Sequence, residues 1–293
     1  MPHDPLAKEL LHLLDIERLE LDLFRGQGSG GETTTRIFGG QVIAQALMAA
    51  YRTVPDRLCH SLHAYFIRPG TPDAPVTYSV DRARDGGSFT TRRVVALQHG
   101  QQIFNMSASF HVAEDGWDYE HPMPVVEGPD KLLERSKVRP QTVSRIPERY
   151  HADFLRPRPI EIREVAPRDP FAPEPQSDVN HMWFRMGGAK GADPHMQHCL
   201  LAYASDMNLL SSGLRPHGLT WFQDKVMSAS LDHAMWFHRP THFDGWHLYA
   251  MDAPFTGGAR AFNRGKIFSR DGHLVASVAQ EGLMRPLKRP ETP

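Results

Sequence analysis

The chain has 293 residues, 40% of them hydrophobic, and a formal net charge of −1, enough for one large domain or two ordinary ones with cores of their own. A charge so near zero gives no general attraction for nucleic acid or an anionic membrane, so neither is expected as a partner. The two distant cysteines, Cys59 and Cys199, suit a reducing compartment. No apolar run reaches spanning length, the start MPHDPLAKELLHLL lacks a signal-peptide layout, and the end RPETP is no peroxisomal address. A cytoplasmic protein is expected.

Two short strands are predicted first, around 18–24 and 33–38. Between them Gly26, Gly28 and Gly31 match the spacing of a dinucleotide loop. Such a loop needs a helix starting inside the glycines and an acid about 20 residues on. The β-branched ETTTRIF follows instead, and no Asp or Glu occurs from 33 to 55, so a turn is expected. A helix over 41–51 comes next, then long strands with a hairpin signal, RDGG, at 84–87. Eleven of the 24 prolines lie between Pro122 and Pro175; proline fixes φ and removes ladder donors, so an irregular crossing peptide is predicted, with one short helix near 130–136.

The second half repeats the order. Strands are predicted near 159–165 and 180–186, then a helix over 195–210, capped by Asp193 with Pro194 at its first position. Further strands follow, with a hairpin signal, SRDG, at 269–272. Arg68-Pro69, Asp81 and Gly86-Gly87 each recur 171 residues later, as Arg239-Pro240, Asp252 and Gly257-Gly258. One α+β unit is therefore written twice, a long helix wrapped by an antiparallel sheet in each copy. The units are set at 1–118 and 158–293, joined by a proline-rich linker at 119–157.

Three polar residues sit where apolar ones are expected. Asp206 shares a helix face with Cys199, Ala202, Tyr203, Leu209 and Leu210. Gln280 alternates with Leu274, Ala276 and Val278 on one strand face. Ser230 lies in the strand-like MSASLDHAMWF. A paired structural carboxylate, a satisfied core amide and an ordinary strand serine are the respective alternatives. His195, His198 and Cys199, or His238, His242 and His247, could ligate a metal, but neither group has a recognised pattern and no metal is expected. No G-x-S-x-G occurs, and neither cysteine lies in a sequence that would lower its thiol pKa.

IFGGQVIAQALMAA, LHAYFIRPG, LLAYASDMNLL, LDHAMWFHRP and VASVAQEGLMR, in that order, resemble the acyl-CoA thioesterase II family over about Gly26 to Arg285, least in the linker. The resemblance implies a double hotdog fold and hydrolysis of medium- to long-chain fatty acyl-CoA, without cofactor or covalent intermediate. It also implies that Asp206, Ser230 and Gln280 hold the hydrolytic water, with Asp206 as base; Ser230 stands where Thr is common. It further implies a homodimer or homotetramer. The helix at 41–51 has no Asp or Glu, so one active site per chain is expected. Coenzyme A's phosphates need cations at the mouth, for which Arg92, Arg93, Arg264 and Lys266 are candidates. The alternatives are a non-catalytic acyl-CoA-binding hotdog and a hotdog dehydratase or hydratase.

Overall fold

Two helices that carry no Asp, Glu, Lys or Arg govern the architecture, because such helices are stable only inside a protein. The computed structural model describes residues 4–28, 35–54, 56–145, 147–223 and 225–287. Its helices are α1 (Pro5–Leu14), α2 (Gly39–Tyr51), α3 (Arg135–Thr142), α4 (His151–Leu155), α5 (Pro194–Ser205) and α6 (Ser211–Leu214). In α2, residues 40–51 are all buried, and in α5, residues 196–205. The two helices pack on each other and run antiparallel, the ring of Tyr51 at one end stacking on His195 at the start of α5.

An antiparallel sheet wraps this pair. In the first half its strands are β1 (Glu17–Glu20), β2 (Leu23–Gly26), β3 (Leu58–Phe66), β4 (Val76–Asp85), β5 (Phe89–Gln98) and β6 (Gln101–His111). The second half adds β7 (Glu161–Glu164), β8 (Asn180–Arg185), β9 (Val226–Ser230), β10 (Asp232–Phe237), β11 (His247–Gly257), β12 (Arg260–Ser269) and β13 (Leu274–Pro286). Their order is β1-β2-β4-β5-β6-β3-β10-β13-β12-β11-β8-β7, with β9 also paired to β13. The second half of that order mirrors the first about the β3–β10 junction, where Leu62 lies opposite Met235 and Ala64 opposite His233. The duplication is thus built into one continuous sheet. The linker lies against the second half: Trp183 Nε1 donates to Glu127 O at 2.9 Å, and Met123, Val126 and Leu132 pack on Trp183, Trp246, Leu248 and Phe268.

Several elements depart from expectation. The predicted strand at 18–24 breaks at a turn into β1 and β2. Of 33–38, residues 33 and 34 lie outside the described residues and 35–38 are not strand. Gly31 of the glycine motif also lies outside them, while β2 ends at Gly26. The second long helix ends at Ser205 rather than 210, because Asn208 adopts a left-handed φ of 66° and turns the chain into α6. The linker helix is a single turn at Pro129–Lys131 followed by α3. Helix α1 was not anticipated, although its Asp4-Pro5 start, with Asp4 accepting from Leu6 N–H at 3.1 Å, repeats the Asp193-Pro194 signal.

A fragment beginning at residue 158 would lose β3 from the β10 edge and α2 from α5, exposing strand donors and an apolar helix together. Expressed alone, it is expected to aggregate; a monomer on size-exclusion chromatography with a cooperative unfolding transition would contradict this.

Candidate active site

Where α5 stops, Asp206 occupies the C-cap position, at the end of a helix rather than inside one. Its Oδ2 accepts the backbone N–H of Gly40 at 2.9 Å. Its Oδ1 accepts from Gln280 Nε2 at 2.6 Å and from Ser230 Oγ at 3.3 Å. Gly40 belongs to the first turn of α2, whose own N-cap residue, Phe38, makes no side-chain cap. The carboxylate of the second half therefore caps the helix of the first, at the positive end of its dipole. That approach needs the Gly39-Gly40 pair. A Cβ on Gly39 would lie 2.6 Å from Asp206 Oδ2, and one on Gly40 would overlap the carbonyl oxygen of Tyr203.

The strands deliver the other two groups. Residues 276–279 of β13 pair with β10, and residues 282–286 pair with β9, so β13 holds both strands along one edge. Between them Leu231 breaks the line: its N–H donates to Glu281 O, and its carbonyl accepts from Phe66 N–H. Ser230 ends β9 opposite Gly282, beside Asp206. Gln280, with Ala276 and Val278, lies on the buried face of β13, as the alternation predicts.

Behind Gln280 stands His233, fully buried. Gln280 Nε2 lies 3.0 Å from His233 Nδ1, and His233 Nε2 lies 2.9 Å from Ser205 Oγ. Ser205 Oγ donates to Ala202 O at 2.8 Å, so it accepts from the imidazole. The chain of donors then has one consistent assignment: His233 Nε2–H donates to Ser205, and Gln280 gives one N–H to His233 Nδ1 and the other to Asp206. This fixes the amide with its nitrogen toward the carboxylate, and leaves Gln280 Oε1 buried without a partner among the described residues. Burial holds His233 down to about 4, against a smaller upward pull from Asp206, so it is a neutral acceptor at pH 7.

Asp206 and Ser230 line a cavity of about 600 Å³, with apolar walls that include Phe38, Val42, Phe66, Ile103, Phe104 and Leu231. Gln280 does not line it. The amide reaches the cavity only through Asp206. Ser205 and Gly40 carry no side-chain signal in the sequence; a helix beginning FGGQ, with no capping side chain, is the one available hint that a group from elsewhere caps it.

The sheet's symmetry creates a second junction, where α2 ends against the start of α5, and a cavity of about 620 Å³ there includes Tyr51, Arg52, Asp193 and His195. Its chemistry differs. Arg52 takes the C-cap position that Asp206 takes on α5, and it is paired with Asp15. The N-terminus of α5 is capped by its own Asp193, which accepts from Met196 N–H at 2.9 Å.

The cations proposed from sequence lie elsewhere. Arg92 is buried, bonded to Thr53 and to Asp85 at 2.5 Å. Arg264 pairs with Asp252 at 2.8 Å, and Lys266 lies 3.4 Å from His121. Neither these nor Arg93 lines the Asp206 cavity, because alternation along β5 and β12 turns them into the core or outward to neighbouring strands. His198 stacks on Phe237 and meets Tyr51 Oη at 2.8 Å, and among the described residues no three His, Cys, Asp or Glu side chains are grouped to hold a metal.

Solved structures share this architecture. A hot dog fold protein of unknown function from Alicyclobacillus acidocaldarius matches 96% of this chain and 98% of its own, with a TM-score of 0.75 at 19% identity. The fold is a double hotdog, α+β. Residues 151–283 match the family model described as acyl-CoA thioesterase, and residues 29–111 that of the acyl-CoA thioesterase N-terminal domain. The chain is 37% identical to acyl-CoA thioesterase 2 of Haemophilus influenzae over 96% of its own length and 98% of the relative's. It is 38% identical to acyl-coenzyme A thioesterase 8 of Homo sapiens over 97% and 91%. The crystal structure of an acyl-CoA thioesterase II, TesB2, from Mycobacterium marinum is 41% identical, with a TM-score of 0.77 over 95% and 99%. The chain belongs to the acyl-CoA thioesterase family, enzymes that hydrolyse the thioester of acyl-CoA.

Burial also holds His198 and His247 down to about 4. Between pH 6.5 and 4 the unfolded chain takes up protons at these positions and at His233, while the folded chain does not. The contribution of these histidines to stability is therefore full above pH 6.5 and is lost as pH falls through that window. Urea midpoints at pH 7, 6 and 5 are expected to drop in that order; a midpoint that held or rose would contradict the buried neutral assignments.

Proposed function

We propose that this chain hydrolyses medium- to long-chain fatty acyl-CoA to free fatty acid and coenzyme A, using water activated by Asp206 and no covalent intermediate. The observation that carries the proposal is the setting of the carboxylate. Among the described residues its partners are a backbone N–H, an amide and a hydroxyl, none of them a cation, and it stands at the wall of an apolar cavity. A carboxylate placed this way faces the space where water and substrate would meet, in reach of a proton from that water.

In this reading water sits against Asp206 and the Ser230 hydroxyl, and Asp206 takes its proton as the oxygen attacks the thioester carbon. Gln280 holds the carboxylate rather than the water. The positive end of α2, with Gly39 in the cavity wall, favours the developing oxyanion. A thiolate leaves readily, so no protein nucleophile is required. The acyl chain lies along the apolar wall, worth about 0.8 kcal/mol per buried methylene, or roughly fourfold in affinity. The protein is proposed to act in the cytoplasm, as its two buried free thiols suit a reducing compartment. It is also proposed to assemble as a homodimer or homotetramer, covering exposed apolar side chains such as Tyr65, Ile67, Phe255 and Phe262.

A dehydratase would need Asp206 and a histidine both facing substrate, whereas His233 is fully buried behind Gln280. A non-catalytic acyl-binding protein is separated by assay: free thiol released from palmitoyl-CoA faster, in kcat/KM, than from hexanoyl-CoA supports the proposal. Binding of both without thiol release would overturn it.

Asp206→Asn is the sharper test. Both carboxylate oxygens accept hydrogen bonds, so an amide there must set its N–H₂ against another donor, costing about 1–3 kcal/mol of stability. The expected fall in kcat is far larger than such a loss explains, roughly 10²–10⁴-fold, with acyl-CoA still bound. Near-normal kcat in the folded variant would remove Asp206 from the chemistry.

A further inference from the structure

We propose that three arginines, Arg135 and Arg139 of the linker and Arg158 at its end, form the site that takes the phosphates of the coenzyme A moiety; this rests on the reading of the chain as an acyl-CoA hydrolase. The cavity that holds Asp206 has a cationic side built from these arginines together with Arg36 and Arg68, and Asp206 is its one acidic lining residue among the described residues. Beside it lies a groove of about 930 Å³, and the residues common to both linings are Arg135, Arg139 and Arg158. The groove continues the basic character with Lys8, Arg156, Arg185 and Lys190, against Asp4, Glu134 and Glu161.

The substrate has the same layout. Its thioester is separated from a pyrophosphate and a ribose phosphate by a long uncharged arm. With the thioester at Asp206, the arm can leave only through an opening that tolerates several negative charges further out. Guanidinium groups suit that role, since their forked donors match phosphate oxygens two at a time.

The local structure presents them in this way. Arg135 and Arg139 are four residues apart on α3 and so share one face of it. Arg139 is held over the ring of Phe154, 4.9 Å from its centroid, with Nη1 donating to Phe154 O at 2.9 Å. Arg135 is paired with Glu164 on β7, and Arg158 Nη1 donates to Arg156 O at 3.1 Å. The proline-rich segment is then more than a connection between the halves, because it supplies the anion site that the sheet does not offer.

The test compares decanoyl-CoA with decanoyl-pantetheine, which has the same thioester and acyl chain but no phosphates. In Arg139→Gln/Arg158→Gln, the ratio of kcat/KM for decanoyl-CoA to that for decanoyl-pantetheine is expected to fall about 10- to 100-fold, the loss of charge-assisted hydrogen bonds. Arg139→Lys/Arg158→Lys retains charge but not the fork; should the glutamine variant fail to fold, it still lowers the ratio, by about 3- to 10-fold. A ratio equal to wild type in a folded variant that cleaves decanoyl-pantetheine overturns the proposal. Wild-type protein that cleaves neither thioester would instead sink the hydrolase reading on which it stands.

Discussion

The hydrogen bond from the Gly40 N–H to Asp206 Oδ2 ties the two halves of the chain together at the proposed centre of the chemistry. Helix α2 starts without a capping side chain of its own, and Asp206 lies at the end of a buried helix with no cation bonded to it among the described residues. Each would be costly alone: first-turn N–H groups want an acceptor, and a partly buried carboxylate wants donors. Placed together they satisfy one another. The carboxylate gains a helix dipole and a backbone donor, neither of which neutralises it as a paired lysine or arginine would. The carboxylate is thus held by donors while it faces an apolar cavity, the position a general base requires.

The rest of the structure serves that meeting. Pairing of β3 with β10 sets the halves about an approximate two-fold, and the antiparallel packing of α2 on α5 brings each helix end to the other's start. Two junctions result from one symmetry, and side chains decide their fates. At one, glycines admit Asp206; at the other, Arg52 meets Asp15 while Asp193 caps α5 from within. The scaffold occurs twice, and the helix that ends in the carboxylate meets the helix that starts with two glycines. The buried relay from Ser205 through His233 to Gln280 then holds the amide in the orientation that keeps Asp206 in place.

Much of this was legible because its causes are local. The repeat, the two long helices and the Asp193-Pro194 start of the second follow from spacing and composition, and misplaced polarity singled out Asp206, Ser230 and Gln280, which lie within hydrogen-bonding distance in the fold. What escaped depends on geometry that residue types do not encode. The end of α5 at Ser205 turns on the left-handed Asn208, and the contribution of Gly40 is a backbone N–H. Arg264 and Lys266 were candidates only as cations on a strand, and their partners, Asp252 and His121, are set by register and by the folding back of the linker. That linker reads as a spacer from its prolines, yet its arginines line the same cavity as Asp206.

The central claim is that Asp206 acts on a water molecule and not on the thioester itself. A crystal structure of the Asp206→Asn protein holding uncleaved acyl-CoA tests it most directly. The account predicts one ordered water within hydrogen-bonding reach of both the side chain at 206 and the Ser230 hydroxyl, facing the thioester carbon, with the carbonyl oxygen toward the start of α2. A thioester carbon packed against the side chain at 206, with no room for water between them, would contradict it.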